Sequence, residues 1–143
     1  MKSVSQIAAL LALLCAFVGC DSSPYQLAPV SGKVTFDGKP LAGGVVNFQP
    51  RATEDSKTVG PGCTVNCDSE GRFVLKTIDG DDGAVVGTHT VRIYSFSPET
   101  AGDSDTDSGR VEKIPLKYNY RSTLTFDVPA EGTDAANFDL TAK

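Results

Sequence analysis

Residues able to do chemistry are sparse in this 143-residue chain. His89 is the sole histidine. A zinc site draws three or four nitrogen and sulfur ligands, so one imidazole with two cysteines is too few. His89 shares strand parity with Val91 and Ile93, which places it at a core edge as a structural side chain. Asp103-Ser-Asp105-Thr-Asp107-Ser-Gly109 alternates carboxylates in the way a calcium loop does. Two positions depart from that loop: Ser108 stands where Gly should follow the third acid, and Ile114 falls where a bidentate Glu is needed. A solvated acidic loop is therefore expected, with Asp103, Asp105 and Asp107 as weak metal candidates. Asp79, Asp81 and Asp82 form a second oxygen cluster of the same kind.

Cys63 and Cys67 pose a separate question. Outside the cytoplasm two cysteines usually pair. Four residues of straight strand span about 13 Å, however, while a disulfide wants its Cα atoms within about 7 Å. Bonding requires Thr64-Val65-Asn66 to turn or bulge. A Cys63–Cys67 disulfide and two packed free thiols are both left open here. The spacing is not Cys-x-x-Cys, which opposes a redox role. No Gly-x-Ser-x-Gly elbow is present, and His89 has no partner carboxylate in sequence. Gly43-Gly44 is followed by no helical pattern, so a phosphate-cradling loop is also missing. The chain reads as non-enzymatic, and no cofactor is implied.

The strongest chemical signal is a cysteine near the N-terminus. Lys2 precedes an apolar run from Ile7 to Val18, the layout of a secretory signal peptide. That run falls short of the roughly 20 apolar residues a helix needs to span hydrocarbon. It ends at Phe17-Val18-Gly19-Cys20, which resembles the bacterial lipobox. There a small residue precedes the Cys that takes the lipid and becomes the new N-terminus. Phe17 stands where Leu is usual. The resemblance implies cleavage between Gly19 and Cys20 and acylation of Cys20. Each buried methylene contributes about 0.8 kcal/mol, so one acyl chain binds marginally and two or three bind stably. The expected location is the cell envelope, anchored on the extracytoplasmic side of a membrane.

What positions these residues is a chain that alternates. Residues 20–29 read as a lipidated tether, with two prolines and no periodicity. From Val30 the period becomes two. Alternating stretches follow at Val30–Phe36, Val45–Gln49, Cys63–Cys67, Arg72–Thr77, Gly87–Phe96, Leu124–Val128 and Phe138–Leu140. Asp37-Gly38-Lys39-Pro40 is a strong turn signal between the first two. Polar loops fill 50–62, 79–83 and 97–112. Seven short strands without helical pattern predict an all-β domain over 30–143, a β-sandwich behind a signal peptide over 1–19. The formal charge is −5 with pI about 4.7. That balance opposes nucleic acid, whose phosphates demand Lys and Arg.

Val30-Ser-Gly-Lys-Val-Thr-Phe-Asp-Gly-Lys-Pro-Leu41 followed by Val46-Asn-Phe48 resembles the opening of carboxypeptidase regulatory-like domains. Asp68-Ser-Glu-Gly-Arg-Phe-Val-Leu75 and Gly87-Thr-His-Thr-Val-Arg-Ile93 are similar to the same family's recurring segments. The combination with a lipobox also looks like small planctomycete lipoproteins. The resemblance covers residues 30–96 and, more loosely, 114–141. It implies a transthyretin-like, seven-stranded sandwich of the immunoglobulin-like kind and a non-catalytic accessory module. It carries no catalytic residue to this chain. Membrane contact through the N-terminal lipid, with an envelope protein or glycan as partner, is the functional expectation. A carbohydrate- or calcium-binding module using the acidic loops is the alternative.

Overall fold

The computed structural model describes residues 23–53, 59–96 and 111–143. The larger sheet is built by the alternating segments. β4 (Val45–Pro50), β5 (Cys63–Asn66), β8 (Gly87–Tyr94) and β9 (Thr125–Val128) pair antiparallel in the order β5-β4-β8-β9. In β8, His89, Val91 and Ile93 are buried while Thr88, Thr90, Arg92 and Tyr94 are partly exposed. A period of two puts one set on each face.

The second sheet is centred on β2 (Ser31–Phe36). β10 (Phe138–Leu140) lies parallel to it on one edge. The other edge is shared: β6 (Arg72–Val74) takes Ser31–Lys33, and β3 (Lys39–Pro40) takes Thr35 and Phe36. Val34 joins the two, its N–H donating to Gly71 and its carbonyl accepting from Leu41. Two short strands, β1 (Leu27–Ala28) and β7 (Ala84–Val85), pair separately.

The sheets meet through aromatic rings. Phe48 of the larger sheet has ring centroids 6.3 Å from Phe73 and 6.0 Å from Phe138 of the smaller one, and 5.7 Å from Phe126 beside it. Around these pack Val34, Leu75, Val91 and Ile93, all fully buried. Truncating a ring so placed to Ala would cost about 3–5 kcal/mol in lost transfer energy and cavity.

The all-β architecture follows the alternation, and each of the seven expected strands has a counterpart. Differences lie at the edges. Of the segment expected as a tether over 20–29, Leu27 and Ala28 belong to the fold: they pair with Val85 and Ala84, and Ala28 is buried. The strand expected over 72–77 leaves β2 after the Leu75 N–H bonds Val30. Lys76 and Thr77 then bridge Asp82 and Cys63, carrying the chain across to the other sheet. The strand expected to run to Phe96 ends at Tyr94. The first hairpin turns at Asp37-Gly38 alone, with Pro40 already in β3. Both turn residues have positive φ, 48° and 78°. That is the two-residue turn whose twist matches paired strands, and only Gly, Asp or Asn adopt it cheaply.

Candidate functional site

Gly19 and Cys20, the cleavage and lipidation residues, lie outside the described residues, as do Asp103, Asp105 and Asp107. The second acidic cluster does not converge. Asp79, Asp81 and Asp82 are all exposed, Asp82 pairs with Lys76 at 2.6 Å, and Asp81 takes part in a turn through Thr77. Among the described residues no group of three or more His, Cys, Asp or Glu could hold a metal ion.

Cys63 and Cys67 are free, buried thiols, so the disulfide left open by the sequence is not formed. The reason is the one geometry supplies: β5 runs extended from Cys63 to Asn66 without the turn that bonding needs. Burial pushes both thiols up to about 11, with the Asp68 charge adding at Cys67. A neutral thiol is a poor nucleophile and metal ligand.

His89 is wholly buried rather than at a core edge. Its Nε2 lies 2.6 Å from the Val85 carbonyl, to which it donates, and its ring centroid is 5.6 Å from that of Phe48. With the proton on Nε2, Nδ1 must accept, yet it has no partner. Desolvation holds the imidazole below its usual pKa, against the Val85 carbonyl and the Asp127 charge, which favour the proton.

The outer face of the larger sheet holds an arrangement the sequence did not announce. Cross-strand register aligns Asn66, Val45 and Tyr94 in one row and Thr64, Asn47 and Arg92 in the next. Tyr120 arrives from a separate segment and sets its ring edge-on to Tyr94, centroids 5.5 Å apart. That segment is fixed from within. The Glu112 carboxylate accepts N–H bonds from Ser95 and Ile114, and the buried Asn119 amide donates to the Ile114 carbonyl. Tyr120 nevertheless stays 67% exposed. Asn47 Nδ2 donates to Thr64 Oγ1 at 2.9 Å and to the Cys63 carbonyl at 3.3 Å, which fixes the amide and leaves its Oδ1 as an acceptor. Side-chain ion pairs among the described residues are Arg72–Glu70 and Lys76–Asp82, so Arg92 has no carboxylate partner there.

Two hollows lie elsewhere. A cleft of about 160 Å³ is lined by Tyr25, Gln26, Arg51 and Thr88 among others. A shallower one of about 370 Å³ lies between Pro29, Val74, Glu131 and Asp134. Among the described residues neither lining holds a His, Cys or Lys.

No family model matches the chain, and no curated protein matches it. One solved structure, a 9R-lipoxygenase from Cyanothece PCC8801, is similar over 81% of this chain and 16% of that one, at 14% identity and a TM-score of 0.35. The chain thus spans about a sixth of that protein's length, and a likeness so distant carries no argument about activity.

Proposed function

We propose that this chain is a membrane-anchored, non-catalytic lipoprotein of the cell envelope, its β-sandwich serving as a structural or protein-interaction module. The observation that carries the reading is the place of Cys20, which closes the apolar run directly after Gly19. The first strand then starts at Leu27. Six residues, Asp21 to Gln26, separate the acylated Cys from the fold. At about 3.3–3.6 Å each they reach roughly 20 Å at full extension. A tether that short keeps the domain against the membrane, which suits partners that are themselves envelope-bound.

The resemblance to carboxypeptidase regulatory-like domains supports an accessory role. Its segments form β2, the Asp37-Gly38 turn, β4, the turn before β6, and β8. In that second turn Asp68 Oδ1 accepts from both the Glu70 and Arg72 N–H groups at 2.8 Å. These are turn and packing roles, suited to a module that presents surfaces.

Intact mass of the protein extracted from host membranes with detergent tests the anchor. The expected mass is the chain from Cys20 plus acyl groups, and Cys20→Ala should leave the membrane fraction. Cleavage at another position without lipid would overturn the reading.

A further inference from the structure

We infer that the outer face of the larger sheet, at the Tyr94 end, is a binding site for an acidic glycan. Tyr120, propped edge-on against Tyr94, forms the platform and Arg92 takes the sugar's carboxylate. This goes beyond the proposed function and stands apart from its anchor: loss of the lipid would leave glycan binding intact.

The argument starts from what such a ligand presents. A pyranose ring offers a face of weakly positive C–H bonds, a rim of hydroxyls and, in a uronic acid, one carboxylate. Aromatic faces are negative at the centre of the ring, so they attract C–H groups and leave the hydroxyls free to bond sideways. Tyr120 keeps two-thirds of its surface open while its position is fixed against Tyr94, so little order has to be imposed on binding. Arg92 lies two residues before Tyr94 on the same face of β8, about 7 Å along the strand, roughly the length of one sugar. Its guanidinium is a planar fork matched to a carboxylate.

Charge complementarity selects the acidic sugar. The remaining positions of these rows are Asn47, Thr64, Asn66 and Val45, none of them charged. The Glu112 carboxylate is held by the Ser95 and Ile114 amides. Asp127 lies toward the other end of the sheet, opposite Thr88, whose hydroxyl donates to it. Among the described residues Arg92 therefore stands without an ion-pair partner in the row beside the aromatic pair. Asn47 Oδ1, directly across from Arg92, supplies an acceptor for a neighbouring hydroxyl.

The test uses the detergent-purified full chain with oligomers of uronic acid (alginate fragments), neutral cello-oligosaccharides, and polyphosphate as a non-sugar polyanion. With four tyrosines and no tryptophan, tyrosine fluorescence reports the titration directly, and calorimetry checks it. Uronate oligomers should bind better than neutral ones. Tyr120→Ala should weaken both about tenfold, Tyr120→Phe should bind like the native chain, and Arg92→Gln should abolish the preference for the acid. Arg51→Gln, in the distant cleft, should change nothing. Failure to bind any oligosaccharide at millimolar concentration would overturn the inference. Equal binding of polyphosphate, or indifference to both Tyr120→Ala and Arg92→Gln in variants with native melting curves, would do the same.

Discussion

Lowering the pH from 7.5 to 5 should destabilise this fold through a single side chain. In the native state His89 is fully buried, donates from Nε2 to Val85, and has nothing at Nδ1 to accept from a second N–H. Protonation would place a charge and an unsatisfied donor in the core, so burial depresses the native pKa. The unfolded chain titrates near the ordinary value of 6.5. Above that pH both states are neutral and stability is at its full value. Below it the unfolded state holds one more proton than the native state, so stability falls by up to about 1.4 kcal/mol per pH unit. The fall levels off once the native pKa is reached. Carboxylates titrate near about 4, and His89 is the only histidine, so the upper part of this window isolates it. Urea midpoints at half-unit intervals measure the slope. In His89→Leu the slope between pH 6.5 and 5 should vanish. At pH 7.5 that variant loses the bond to Val85, worth about 1–3 kcal/mol as an orphaned acceptor, and sheds an orphan of similar cost at Nδ1. Its neutral-pH stability should therefore move little. A flat native profile, or a slope that survives in His89→Leu, would refute the reasoning.

Two further predictions test the backbone and the thiols. Gly71→Ala and Gly38→Ala both place a side chain at positive φ, 75° and 78°. A Cβ on Gly71 would lie 2.4 Å from the Val34 carbonyl oxygen, whereas one on Gly38 meets nothing within 4 Å. Urea unfolding should give about 1 kcal/mol for Gly38→Ala and several times that for Gly71→Ala, and equal losses would contradict the strand contact. Cys63 and Cys67, buried with pKa raised to about 11, should resist a thiol reagent in the native state and both react in guanidinium. A denatured, unreduced chain in which neither reacts would instead reveal a bond between them.

Period-two patterns make strands legible where one face is buried. In β4, Val46 and Phe48 face the core and Asn47 and Gln49 face out; β8 repeats this with Val91 and Ile93 against Arg92 and Tyr94. The Asp37-Gly38 turn was equally legible, because positive φ at two successive residues leaves few choices of type. Leu27–Ala28 was not, since a two-residue strand has no period and Ala28 joins the core through a pairing with β7, far along the chain. The depth of His89 was also hidden. Parity sets its face, but Phe48 and Phe126, forty or so residues away on either side in sequence, decide how completely that face is covered.

The outward positions obey a different logic. Inward residues are constrained by volume and polarity, and those constraints are written in residue type at fixed spacing. Outward residues need only tolerate water, so Tyr94 and Arg92 look in sequence like any exposed pair on a strand. They acquire a shared meaning when Tyr120 is folded back beside them, and that depends on Glu112 gripping Ser95 and Asn119 gripping Ile114. Neither grip has a period or a motif. Buried Val45 betrays the arrangement: it has the parity of Asn47, on the face away from the core, and yet is only 1% exposed. A strand residue buried on the wrong face means that something built covers it.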